Sequence, residues 1–236
     1  MPDETPLSVH HPAEGLPIGG VIVIQEVFGV TDHIEDVCAR IAEAGWLTVA
    51  PHLFWRTGDP VLPYDDFSQV APHAGALKAE DILVDVDAAL DYLAGAGLPA
   101  ESVGIVGFCM GGTVAFAVAA QRAIGAAVSF YGGGIDKGRF GFPSLLELAP
   151  ELKAPWLGLY GEQDQGIPVA EVDGLAAAVA EIEVPTEIVR YPQAGHAFNR
   201  EDGPSYDAAA ASDAWLRMLD WFADNLTTGA TESPGL

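Results

Sequence analysis

Six short stretches, most of them almost unbrokenly apolar, divide the chain: GVIVIQ (20–25), WLTVAP (46–51), SVGIVGF (102–108), AAVSFYG (126–132), PWLGLYG (155–161) and TEIVRYP (186–192). A strand covered on both faces has no polar side, so continuous apolar runs mark buried parallel strands rather than half-exposed antiparallel ones. Longer segments with helical periodicity lie between them, at 32–44, 79–95, 112–121, 168–182 and 205–226. Strands alternating with helices are joined by right-handed crossovers, which predicts an α/β fold: a mostly parallel central sheet with helices on both faces. TPLSVHHP near the start adds an edge strand, antiparallel to the rest. A chain of 236 residues suits one such domain, read here as 1–226, with TTGATESPGL (227–236) as a flexible tail.

In open parallel sheets, ligands meet the carboxyl ends of the strands. Just past those ends stand Glu26 in QEVFG, Cys109 in GFCMGG, Asp164 in YGEQD and His196 in AGHAF. GFCMG has the Gly-x-nucleophile-x-Gly form of a strand-to-helix elbow, with cysteine where serine is usual. Such a turn lifts the side chain out of the sheet, and bulky neighbours would clash. The amides at the start of the following helix favour negative charge on sulfur and on a nearby oxygen. The order nucleophile, acid, histidine in Cys109, Asp164 and His196 is that of α/β-hydrolases. Each residue also has a plainer reading: an inert thiol, a helix N-cap and a surface histidine. The irregular stretch 53–78 is too long for an ordinary connector and carries Phe54, Trp55, Tyr64 and Phe67. It is either a loop over a pocket or a small second core; in the first case Trp55, Tyr64 and Phe67, with Phe28, are substrate-binding candidates.

The balance of 34 acidic against 10 basic residues gives a formal charge of −24. With no basic patch to offset it, such a surface repels nucleic acid and anionic lipid. No apolar run is long enough for a membrane span, and the N-terminal residues lack a signal-peptide pattern, so a cytoplasmic setting is expected. Cys38 falls on one helical face with Ile34, Val37 and Ile41 and is read as core. His10, His11, His33, His52 and His73 show no metal-ligand spacing, and the glycines around 104–112 do not form G-x-G-x-x-G. Neither a metal nor an organic cofactor is expected, and the partner is a small molecule. Oligomeric state is read as monomer, with a homodimer as the alternative.

QEVFG (25–29), APHLF (50–54), GFCMGG (107–112), YGEQD (160–164) and AGHAF followed by Arg200 together resemble the dienelactone hydrolase family, the carboxymethylenebutenolidases of the α/β-hydrolase fold. The pieces span nearly the whole chain in the family's order. The resemblance implies a Cys109–His196–Asp164 triad and a thioester acyl-enzyme acting on small lactones or carboxylic esters. It also implies an oxyanion hole from the backbone N–H groups of Val27 and Met110, and Glu26 as the group that helps release the thiol proton. Family members grip a substrate carboxylate with two arginines and a tyrosine. Arg200 matches one arginine, whereas 64–78 contains none. Alternatives are a broader esterase or thioesterase, or a non-catalytic redox or ligand-binding thiol protein.

Overall fold

The computed structural model describes residues 4–227, so the tail expected at 227–236 lies outside the described residues except for Thr227. In chain order the elements are β1 (Leu7–His10), β2 (Gly20–Ile24), α1 (Asp32–Glu43), β3 (Leu47–Pro51), α2 (Val70–Ala74), α3 (Ala79–Gly95), β4 (Val103–Phe108), α4 (Met110–Gln121), β5 (Ala126–Phe130), α5 (Leu145–Leu148), β6 (Trp156–Gly161), α6 (Val169–Val179), β7 (Thr186–Tyr191) and α7 (Ala208–Asn225). The strands form one seven-stranded sheet in the order β1-β3-β2-β4-β5-β6-β7. Only β1 runs antiparallel, pairing Leu7 with Pro51 and His10 with Thr48. β2, β4, β5 and β6 are buried along their whole lengths, as their apolar runs require. β7 is an edge strand of intermediate exposure, which accounts for its mixed sequence TEIVRY.

Strand order reverses between β2 and β4. From β2 the chain turns one way to β3, then returns past β2 to β4, and continues outward to β7. Right-handed crossovers therefore put α1 on one face and α3, α4 and α6 on the other. α7 returns to the α1 face, where the Arg40 guanidinium lies 3.9 Å over the Trp215 ring. Across the opposite face, Arg122 of the α4 C-cap grips Asp87 of α3 through two 2.8 Å hydrogen bonds. The reversal opens a crevice at the carboxyl ends of β2 and β4, where Ile24 and Gly107 sit side by side.

α4 is buried from Met110 through Ala120, which is why its sequence MGGTVAFAVAA is apolar all round. One polar connection fixes it to the sheet: Ser129 Oγ of β5 donates to the Gly112 carbonyl at 2.7 Å and accepts from Trp156 Nε1 at 2.9 Å. α4 begins two residues earlier than the sequence suggests, because the glycine pair at 111–112 is a packing requirement and does not stop the helix. α2 and α5, each under six residues, carry too little periodicity to be seen in advance.

The stretch 53–78 is neither purely loop nor purely core. Phe54 is buried, and single helical turns form at Trp55–Thr57 and Phe67–Gln69. Gln25 anchors its start by accepting from the Leu53 amide at 3.0 Å. The expectation that Trp55 lines the pocket is overturned. Its indole Nε1 donates at 3.0 Å to Asp85, a fully buried carboxylate on α3 that also accepts from Thr5 Oγ1 and Arg56 Nη1, each at 2.6 Å. An indole N–H must find an acceptor when buried, and Asp85 supplies one away from the site. The edge strand is tied in by a second polar group: Ser8 donates to Glu35 at 2.6 Å, His10 contacts the same carboxylate at 2.7 Å, and His52 bridges Ser8 and Asp59.

Asp85 ties two distant segments, at Thr5 and at Trp55–Arg56, to α3. Asp85→Ala leaves the Trp55 N–H and the partly exposed Arg56 guanidinium without this acceptor, and should lower the free energy of unfolding by about 1–3 kcal/mol. Urea denaturation of wild type and variant measures this.

Candidate active site

β4 ends at Phe108, and α4 starts at Met110, leaving one residue to make the turn. That residue, Cys109, takes φ 55° and ψ −112°, a left-handed value that non-glycine residues rarely adopt. Its amide donates to the Phe130 carbonyl at 3.0 Å, and its carbonyl accepts from Gly112 at 3.0 Å. A Cβ at Gly107 would collide with the Gly111 carbonyl, and one at Gly111 would collide with the Ile24 carbonyl. Those two glycines let β2, β4 and α4 approach closely enough for the thiol to stand above the sheet.

Asp164 and His196 arrive from the turns after β6 and β7. His196 Nδ1 lies 2.6 Å from Asp164 Oδ2, and the other carboxylate oxygen accepts from the Gly166 amide at 2.7 Å. Asp164 is therefore buried and fixed at both oxygens, so its N-cap reading gives way to one as the partner of an imidazole. Burial pushes the His196 pKa down, but the Asp164 hydrogen bond and the Cys109 side chain push it up more strongly, to about 10. Both neighbours favour the protonated ring. Tyr131, at φ 41° just past β5, sets its buried ring at a tilt of 58° to that of His196, with 5.1 Å between centroids.

Cys109 and His196 sit where two cavities meet. The first, of about 490 Å³, is walled by Val27, Met110, Tyr131, Phe140, Ile167 and Arg139, among others. The second, of about 460 Å³, is bounded by Glu26, Phe28, Tyr64, Asp65, Arg200 and Asp202. Phe67 and Ser205 border both. The backbone N–H groups of Val27 and Met110 have no acceptor among the described residues. Amides without acceptors beside a thiol are suited to holding an oxyanion.

The second cavity contains a chain of polar contacts. Tyr64 Oη donates to Glu26 Oε2 at 3.0 Å and contacts Thr31 Oγ1 at 2.9 Å. The Arg200 guanidinium lies 3.6 Å over the Tyr64 ring. Its Nε is 3.2 Å from Asp202, but too misaligned for a hydrogen bond, so the contact is Coulombic. Burial raises the Glu26 pKa, while the Tyr64 hydrogen bond and the charges of Arg200 and His196 moderate the rise. Phe28 packs against Tyr64 and Phe67 at 4.4 and 5.2 Å between ring centroids. Of the residues selected from sequence, only Trp55 is outside the two cavities. Tyr131 and Arg139 were missed. Tyr131 follows the carboxyl end of β5, so the rule that located Cys109 could have found it. Arg139 lies in a loop, DKGRFG, without any pattern to mark it.

A parallel sheet with a cysteine elbow after one strand, and an acid and a histidine on later strand ends, defines an α/β-hydrolase architecture. The model of the dienelactone hydrolase family matches residues 8–226, and the chain belongs to that family, whose members are lactone and ester hydrolases. It is 40% identical over 215 residues to a provisionally named carboxymethylenebutenolidase of Methylorubrum extorquens, covering 89% of this chain and 74% of the relative. A relative of the same designation from Escherichia coli K12 is 40% identical over 212 residues, or 87% and 77% of the two chains. The crystal structure of a provisionally named dienelactone hydrolase from Klebsiella pneumoniae superposes with a TM-score of 0.86 at 37% identity, over 93% of this chain and 92% of that one.

Because the folded His196 pKa lies above its ordinary value of 6.5, the stability it contributes is complete below pH 6.5 and is lost as pH rises towards 10. Asp164→Asn removes the carboxylate whose hydrogen bond is the largest single raising contribution, and leaves burial opposed by Cys109 alone. The imidazole should then titrate about one pH unit lower or more, as followed by NMR of selectively labelled histidine. An unchanged midpoint would mean that Asp164 does not set the charge of His196.

Proposed function

We propose that the protein hydrolyses small lactones or carboxylic esters with Cys109 as nucleophile, His196 as proton carrier and Asp164 as the group that orients it. The observation that carries this reading is Cys109 at φ 55° on the β4–α4 turn, sharing a cavity with a His196 that is bonded to a buried Asp164. His196 pairs with Cys109 as imidazolium beside thiolate, and the thiol proton is taken by Glu26, a buried carboxylate whose pKa burial raises. The thiolate adds to the carbonyl carbon, and the negative oxygen is met by the Val27 and Met110 amides. The tetrahedral adduct collapses, the carbon–oxygen bond breaks and His196 gives its proton to the departing oxygen. Neutral His196 then takes a proton from water, whose hydroxide attacks the thioester. The carbon–sulfur bond breaks, releasing the acid and leaving thiolate and imidazolium, and Glu26 returns its proton to the thiolate to complete the cycle.

Two connected, mostly apolar cavities favour esters of varied shape as well as lactones, which makes a broader esterase the second reading. A redox pair has less support: Cys38 is fully buried in α1, and burial pushes its thiol pKa up. We read the protein as a monomer, with a homodimer as the alternative. A free thiol at the centre fits a reducing compartment, and we assign the protein to the cytoplasm on that ground. No helix among the described residues is long and apolar enough to cross a membrane.

Cys109→Ala and His196→Ala should each reduce turnover of the best substrate by on the order of a hundredfold or more while leaving the circular dichroism spectrum unchanged. His196→Ala should also slow deacylation, so that intact-mass spectrometry after a substrate pulse finds an acyl adduct on Cys109. Hydrolysis by Cys109→Ala at the wild-type rate would reject the nucleophile.

A further inference from the structure

Tyr131, just past β5, is held in place from several sides. It takes φ 41°, a left-handed value, and its side chain is fully buried. Its amide donates to the Leu159 carbonyl of β6 at 2.8 Å. At the next residue, Gly132, a Cβ would collide with the backbone of Gly112, so α4 presses on the same turn. The ring packs against His196 and Phe198, with centroids 5.1 and 5.3 Å away.

The hydroxyl on that ring has no partner within the fold. Six buried side-chain nitrogen and oxygen atoms lack a hydrogen bond among the described residues, and only Tyr131 Oη belongs to the wall of the first cavity. A buried hydroxyl left unpaired is destabilising, and phenylalanine would fill the same space without it. Backbone strain and an orphaned donor in one residue beside a nucleophile point to a partner that forms during the reaction. Burial raises the Tyr131 pKa well above its ordinary value, and the charges that Glu26 and Cys109 carry when ionised raise it further. The group therefore stays a neutral donor. The two anions that act on it most are those between which the thiol proton moves. Glu26 already accepts from Tyr64, which leaves the sulfur as the anion to be served.

We propose that Tyr131 is a further catalytic residue: as Glu26 takes the thiol proton, the Tyr131 hydroxyl donates a hydrogen bond to the Cys109 sulfur and holds the thiolate. The O–H bond of Tyr131 is kept, and no proton leaves it. This deepens the hydrolase reading and rests on it for turnover, although the thiolate can be followed without turnover.

Iodoacetamide reports the thiolate, because the charged sulfur is the form that attacks. The sulfur bonds to the reagent's CH2 carbon and iodide leaves. Cys38 is buried, and peptide mapping identifies Cys109 as the modified site. The midpoint of the rate–pH profile belongs jointly to Cys109, Glu26 and His196, with Asp164, Arg139, Arg200 and Asp202 also bordering the two cavities. These groups are common to wild type and Tyr131→Phe, so a displaced midpoint reports the hydroxyl. In Tyr131→Phe the midpoint should rise by about half a pH unit or more, which is about a threefold or larger fall in rate on the lower limb. The plateau at high pH should be retained. Below the midpoint, the variant's Tm should equal or exceed that of wild type, because an unpaired buried hydroxyl has been removed. An unchanged midpoint, or a lower Tm, overturns the proposal and makes Tyr131 a packing residue. In parallel, kcat/KM for an ester should fall on the same lower limb. If wild type hydrolyses neither lactones nor esters, the hydrolase reading fails while the alkylation profile still decides the role of Tyr131.

Discussion

Holding a non-glycine residue at a left-handed backbone angle costs roughly 1–3 kcal/mol, and at Cys109 the surrounding structure makes any relaxed alternative unavailable. The turn is pinned at its amide by Phe130 of β5 and at its carbonyl by the first turn of α4. α4 is locked to the sheet by Ser129 and by contact along all its faces. The glycines at 107 and 111 allow main chain to pass main chain without an intervening side chain. A strained thiol above the sheet is thus the result of burying an entire helix between the sheet and its neighbours. A loop alone could not hold it.

Electrostatics in the site follow from the same dryness. In water, a histidine beside a carboxylate gains little, whereas in a partly buried site the 2.6 Å contact between His196 and Asp164, together with Cys109, outweighs the cost of burial and favours the charged ring. Glu26 has no such partner. Its hydrogen bond from Tyr64 is neutral, and burial prevails in the opposite direction. Two groups in one crevice thereby have their pKa values set by different causes, a charged partner in one case and burial in the other.

The chain order of strands and helices was legible because buried parallel strands permit no polar residues, and Cys109, Asp164 and His196 were legible because each follows such a strand. Tyr64 could be selected as an aromatic, but its link to Glu26 depends on folding across 38 residues, which no local pattern records. Trp55 was misplaced because an indole can serve a pocket wall or a buried acceptor, and the acceptor, Asp85, lies 30 residues away. Asp85 itself resembles one more acid on an amphipathic helix until the fold buries it. Arg139 was invisible for a different reason: it lies on an irregular loop, and only the fold shows that it borders the first cavity.

The two cavities meet at Cys109 and His196 but are built by different parts of the chain. The loops after β5 and β6 contribute Arg139, Phe140 and Ile167 to one, while the segments around 64–67 and 200–205 contribute much of the other. Changes well separated across such a divide tend to combine additively in free energy. Descendants of this scaffold could therefore revise one half of a substrate's outline while keeping the other, so that selectivity evolves by parts and the chemistry at the junction is left alone.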